Sequence, residues 1–260
     1  MGSHAHGSDR ILRPAVVAPR RAASDATAMS AETRTKSRAR WEEGDFPATG
    51  AWTVRRRLAA AMRSVIERLT TSDAPEEELE LAAQRLEDYA SHLARHPRRV
   101  RYEGVSETVL AGADDDPSGG GHFDYSPLIG RSNPLAPPIV LRSHEGRVHG
   151  EVTFGSAYEG APGCVHGGCV AAAFDEVLGY AETFTDAPGM TGTLTVIYRS
   201  PTPLHVPLRF EAWVERVEGR KVFCKSTLRA GDRLCAEAEG IFISLKPGFY
   251  DNLMKARPAI

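Results

Sequence analysis

Gly163-Cys164-Val165-His166-Gly167-Gly168 opens the segment that decides the fold, and the run behind it, Cys169 to Ala181, is small and apolar except at Asp175 and Glu176. A helix that is apolar on nearly every side is wrapped by protein, and an ionised carboxylate in such surroundings costs several kcal/mol unless it is paired or used. Asp175 is therefore the first candidate for chemistry. Ala171, Ala172, Asp175, Leu178 and Gly179 fall at helical spacing, which gives Asp175 a narrow stripe of small neighbours. Glu176 lies about 100° further round the axis and faces elsewhere. His166-Gly167-Gly168 stands just before the first helical turn, where N–H groups lack intrahelical partners and the helix dipole favours negative charge. Glycine there lets a ligand approach the backbone closely. The segment is predicted to be an oxyanion site at the entry of a buried helix.

Outward from this helix the chain alternates as strands do. Ile139 to Ser143 and Val148 to Ala157 bracket the hairpin signal Glu145-Gly146, and Thr191 to Arg199, Leu208 to Val217, Val222 to Ala230 and Leu234 to Leu245 follow the helix. The links Glu218-Gly219-Arg220 and Gly231-Asp232 are short, as antiparallel neighbours require. One long apolar helix with about six antiparallel strands predicts an α+β fold, the helix packed on one sheet face.

His166-Gly167-Gly168, then Asp175, then Met190-Thr191 and the strand Leu194-Thr195-Val196-Ile197-Tyr198-Arg199 resemble the hotdog-fold acyl-CoA thioesterases of the PaaI-like group. The resemblance covers roughly Asn133 to Leu245. It implies that Gly167 supplies the oxyanion amide, that His166 shapes the turn, that Asp175 activates water or attacks the carbonyl, and that Thr191 positions the water. Other hotdog lineages use Glu in the acid role, which keeps Glu176 as a rival. The resemblance also implies at least a homodimer or a dimer of dimers, with sites shared between subunits. It implies acyl-CoA as substrate, and no cofactor beyond the coenzyme A that the substrate carries. Gly168 and Asn133 are candidate substrate contacts. Arg199, Arg220 and Lys221 lie at strand ends or turns from which they can meet coenzyme A phosphates. Two other functions fit the scaffold: a non-catalytic acyl-CoA-binding protein and a 3-hydroxyacyl thioester dehydratase. The second needs a histidine base, for which His166 in a glycine turn is poorly suited. No Gly-x-Ser-x-Gly elbow occurs in the chain, which removes a serine hydrolase.

The frame around the site is plain. The chain has 260 residues and a net charge of -2, so no basic excess calls for nucleic acid. No apolar stretch approaches the roughly 20 residues that span a bilayer, and a soluble cytoplasmic protein is expected. Cys164, Cys169, Cys224 and Cys235 form no Cys-x-x-Cys pair and suit reduced thiols, and no metal site is expected. Residues 1–48 read as a disordered basic tail. Its Arg-rich, acidic-poor composition suits a transit peptide superficially, but Pro14 and Pro19 break any amphipathic period.

Residues 49–97 are predicted to form a helical hairpin that packs on the sheet or lids the substrate tunnel. Its stripes are Leu58, Met62, Val65 and Leu69, and Leu79, Ala83, Leu86, Ala90 and Leu93. The second helix starts near Asp73, with Pro75 in its first turn and Glu76 as a capping-box partner. Residues 98–138 read as a Pro- and Gly-rich linker or flap whose apolar second half lines the approach to the active site. Residues 139–247 form the hotdog domain and 248–260 a C-terminal tail.

Overall fold

The computed structural model describes residues 51–97, 123–185, 189–246 and 248–256. The expected basic tail and the first part of the linker lie outside the described residues. The described residues form four helices, α1 (Ala51–Thr71), α2 (Glu76–Leu93), α3 (Gly167–Glu182) and α4 (Phe249–Ala256), the last where a C-terminal tail is expected. Six strands follow the alternation: β1 (Val140–His144), β2 (Arg147–Val152), β3 (Gly189–Tyr198), β4 (Leu208–Glu218), β5 (Lys221–Ala230) and β6 (Arg233–Ser244). They make one sheet in the order β1-β2-β4-β5-β6-β3, antiparallel throughout. The first hairpin turns on Glu145 and Gly146 at φ 49° and 75°, the left-handed pair that a two-residue loop needs.

Alternation buries one sheet face: Val148 and Val152 from β2, Leu208, Phe210 and Ala212 from β4, and Val222, Cys224, Ser226 and Leu228 from β5. Helix α3 fills that face with Val170, Ala173, Phe174, Val177, Leu178, Tyr180 and Ala181. Phe174 meets Phe210 edge-on at 5.2 Å between ring centroids. This is the hotdog arrangement. Because β3 follows α3 in the chain and joins at the far edge beside β6, it has a sheet neighbour on one side only. Met190, Ile197 and Tyr198 on that strand are exposed. β2 stops at Val152, short of the expected Ala157. Beyond it Ser156 turns its N–H and hydroxyl to Glu67 at 2.8 and 2.9 Å, and Ser156–Tyr158 winds into a 3-10 turn.

The hairpin departs from expectation in its facing. The stripe residues Leu58, Val65 and Leu69 are exposed, and among the described residues of α1 Ala59 is the one buried hydrophobic side chain. The docked face is polar. Arg56 forms a two-pronged pair with Asp124 at 2.7 and 2.9 Å, Arg63 donates to the Asn133 carbonyl at 2.9 Å, and Glu67 holds Ser156. The helix thus sits on the 123–137 loop and the Ser156–Tyr158 turn. Helix α2 has no buried residue at all, and Pro75 stands at its N-cap without a side-chain cap, so the expected capping box does not form. The apolar loop before β1 serves as the seat for α1. Pro134, Leu135 and Pro137 line a cavity of about 710 Å³ against that helix, rather than the approach to Gly167.

Candidate active site

The turn that leads into α3 is fixed by its own backbone. His166 N–H donates to the Tyr158 carbonyl and Val165 N–H to the Thr202 carbonyl, both at 2.8 Å, while Gly160 N–H reaches the Cys164 carbonyl at 2.9 Å. A side chain on Gly160 would meet the His166 Cα at 2.7 Å, so only glycine permits this crossing. His166 is the N-cap of α3, and its Nδ1 accepts from the Gly168 N–H at 3.0 Å. With the Nδ1 lone pair engaged, the neutral ring carries its proton on Nε2 and presents a donor rather than a base. The Gly168 amide is thereby taken. The Gly167 N–H has no acceptor among the described residues, and it points from a helix start where negative charge is favoured.

Asp175 lies on the exposed side of α3, and Thr191 Oγ1 donates to its Oδ1 at 2.8 Å. Thr191 sits in β3 where the pairing with β6 slips between Thr191 and Thr193, which re-aims the strand there. The hydroxyl engages one of the two carboxylate oxygens. Glu176 faces away and accepts from Ser126 Oγ at 3.2 Å, tying the loop to the helix.

Gly167 and Asp175 stand eight residues apart on one helix, about 12 Å along its axis at ~1.5 Å per residue. One carbonyl carbon cannot lie within reach of both. The structure therefore gathers the sequence-predicted groups into two separate pairs, His166 with Gly167 at the helix start and Asp175 with Thr191 two turns on.

The candidate substrate contacts divide further. Asn133 spends its carboxamide on the loop, donating to the Tyr125 carbonyl at 3.0 Å and accepting from the Leu135 N–H at 2.9 Å. Arg199 pairs with Glu237 at 2.7 Å and lines a cavity of about 620 Å³ together with His166 and Gly167. Arg220 binds the Ser244 carbonyl at 2.7 and 3.1 Å, and Lys221 is opposite Ile243, so both stand at the end of the sheet where β3 begins and α3 ends. The cations thus lie at opposite ends of the domain. Among the described residues no group of three His, Cys, Asp or Glu side chains converges as a metal site. Burial pushes the Cys169 thiol up, which disfavours a thiolate nucleophile. No described helix is long and apolar enough to cross a membrane.

Two features escape the sequence reading. Tyr198 Oη donates to the Gly167 carbonyl at 2.7 Å, signalled in the sequence only by a hydroxyl-bearing aromatic at a strand end. Glu182 is completely buried, and neither carboxylate oxygen has a hydrogen-bond partner among the described residues. Burial pushes its carboxyl up to about 7, against a smaller opposing pull from the nearby Gly189 amide.

Residues 162–238 match the thioesterase superfamily, a span that contains both pairs. Acyl-coenzyme A thioesterase THEM4 of Xenopus laevis is 40% identical over 95 residues, 36% of this chain and 43% of that protein. The mouse protein of the same name is 34% identical over 91 residues, 34% of this chain and 39% of that protein. The chain spans about two fifths of the length of these curated relatives. A solved thioesterase superfamily protein shares 34% identity with a TM-score of 0.63, over 76% of this chain and 96% of its own. With that identity sustained across nearly the whole of a solved member, the chain belongs to the thioesterase superfamily.

Proposed function

We propose that this protein hydrolyses an acyl-CoA thioester to the free acid and coenzyme A in a homodimer whose two sites are each built by both chains. The observation that carries this reading is the Thr191 hydroxyl on the Asp175 carboxylate, 2.8 Å apart on the exposed side of an otherwise buried helix. Membership of the superfamily and the similarity to proteins named acyl-coenzyme A thioesterase support the substrate class. The unpaired edge of β3, with Met190, Ile197 and Tyr198 exposed, supports a partner chain there. Two α3 helices laid antiparallel would bring His166 and Gly167 of one chain to Asp175 and Thr191 of the other. The His-Gly-Gly, Asp and Thr pattern supports the PaaI-like group within the superfamily, and free cysteines suit a reducing compartment such as the cytoplasm.

In this scheme Asp175 takes a proton from water as the water adds to the thioester carbonyl. The oxygen gains its charge against the Gly167 N–H, with the His166 Nε2–H beside it. The tetrahedral adduct expels the coenzyme A thiolate, a good leaving group because a thiol pKa is near ~8.5, and Asp175 returns the proton. Backbone donors of this kind contribute about 10²–10³ in rate and a positioned base about 10²–10⁴. No metal or further cofactor enters the scheme.

Thiol release across a panel of aliphatic and aryl acyl-CoAs tests the reading. Turnover of at least one is expected, with a fall of ~10² or more in Asp175→Asn. Wild-type protein that releases no thiol from any of them sinks it. Mixing Asp175→Asn with a Gly167→Pro variant that folds and dimerises tests the shared sites, since each mixed dimer keeps one whole site. About a quarter of wild-type activity should return after subunit exchange.

A further inference from the structure

We propose that the Tyr198 hydroxyl is a positioning group for the oxyanion amide of Gly167, an inference that rests on the hydrolytic reading above. The last residue of β3 reaches across to the first residue of α3, and Tyr198 Oη donates to the Gly167 carbonyl at 2.7 Å. Among the described residues no other side chain bonds to Gly167. The Gly167 carbonyl opens an α-helix and already has the N–H four residues on, so the phenol adds a second bond that helix formation does not demand. A bond that the helix does not need points to placement.

What it places follows from covalent geometry. The oxyanion N–H belongs to the peptide between residues 166 and 167, and the carbonyl that Tyr198 holds belongs to the next peptide. Both planes pivot on the Gly167 Cα, and glycine has the widest freedom about that pivot. The peptide that carries this N–H is anchored through its own carbonyl, where His166 accepts from the Cys169 and Val170 N–H groups at 2.9 and 3.2 Å. Tyr198 anchors the next peptide by its carbonyl, while His166 Nδ1 holds the Gly168 N–H of that same peptide, so the Gly167 N–H is aimed from both sides. A Cβ on Gly167 would lie 3.3 Å from Tyr198 Oη, tighter than nine in ten such contacts, so a side chain at 167 would push the phenol back by a few tenths of an ångström. The ring of Tyr198 is also a wall of the cavity beside Gly167. Removing the hydroxyl alone separates the aim of the amide from the shape of that wall.

Tyr198→Phe is the test, in the full chain, with the acyl-CoA that wild type turns over fastest. The expected result is a fall in kcat of about fivefold, the reach of one neutral hydrogen bond, with KM within about twofold and an unchanged melting temperature. The backbone amide resonance of Gly167 is followed alongside by ¹H–¹⁵N NMR, and it should shift or broaden while that of Gly160 stays put. A kcat equal to wild type overturns the proposal. So does a raised KM with kcat intact, which would show that the hydroxyl touches substrate. If wild type turns over no thioester, the hydrolytic reading fails by itself. The Gly167 resonance still decides the pin, and an unmoved resonance in Tyr198→Phe overturns it.

Discussion

Helix α3 is held by its apolar residues and helix α1 by its charged ones. On α3, Phe174, Val177 and Leu178 are fully buried against the sheet, and the residues left outside include Asp175. On α1, Leu58, Val65 and Leu69 are outside, and Arg56, Arg63 and Glu67 make the hydrogen bonds, with the small Ala59 buried and the Trp52 ring 5.6 Å from that of Tyr125. The difference lies in what each helix faces. The sheet offers α3 a continuous apolar surface. The 123–137 loop offers α1 the Asp124 carboxylate and the carbonyls of Arg131 and Asn133. Each polar group buried there without a donor would cost about 1–3 kcal/mol, while leaving 37% of Leu58 or 62% of Leu69 in water forfeits about 1 kcal/mol each. Satisfying the polar seat wins, and the apolar stripe turns outward.

The comparison breaks first at the α3 side. Phe174→Ala removes a side chain with no exposure and an edge-on partner in Phe210, and a loss of about 3–5 kcal/mol in chemical unfolding is expected. A loss under ~1 kcal/mol would mean that the sheet face is not the seat of α3. The next effect tests the one charged group that α3 does bury. The Glu182 carboxyl is raised from 4.5 to about 7 by burial, so folding takes up a proton between those values. Stability from this group is full below pH 4.5 and is lost as pH rises through 7. The Glu182→Gln variant is neutral throughout, so its stability relative to wild type should grow by about 3 kcal/mol from pH 4.5 to pH 8. A difference that stays flat across that range would show that Glu182 ionises freely in the folded state.

The contrast also sets what was legible in the sequence. The strands and α3 could be placed within a few residues because their apolar residues are buried at the period that reveals them. Gly167 and Asp175 could be singled out because a carboxylate within an apolar helix and a glycine at its start are conspicuous in one dimension, whereas Thr191 is named only by the resemblance to the hotdog thioesterases. Asn133 looked like a substrate contact because nothing local shows that its carboxamide closes its own loop onto Tyr125 and Leu135. The facing of α1 was not legible, since its periodicity marks an apolar stripe correctly but is silent on the polar seat 60 to 70 residues away. Tyr198 was missed because its partner is a backbone carbonyl 31 residues upstream, and carbonyls have no sequence signature.

On the α1 side the expected effects are smaller and local. Glu67→Ala removes the acceptor of both the Ser156 N–H and its hydroxyl, which also contacts His205 Nε2 at 2.9 Å. Charge-assisted bonds at a half-exposed site contribute about 1–2 kcal/mol. Hydrogen exchange should therefore speed up across α1 by roughly five- to thirtyfold, with the amides of β4 and β5 unaffected. Unchanged exchange in α1 would mean that the polar face does not hold it.

The smallest effect carries the sharpest test of the contrast. Leu86 stands in the apolar stripe of α2 with 38% exposure, and Leu79, Tyr89 and Leu93 beside it are similarly open. A glutamine there keeps the length of the side chain and the helix propensity, and no described residue buries α2. Leu86→Gln should therefore change the unfolding free energy by less than ~0.5 kcal/mol, as surface substitutions do. If it instead costs ~2 kcal/mol, the stripe is covered in solution. The concentration dependence of that loss would then separate two covers: a second copy gives a loss that varies with protein concentration, and a segment of the same chain gives one that does not. Either result would make α2 like α3, a helix placed by its leucines, and would confine the polar mode of docking to α1.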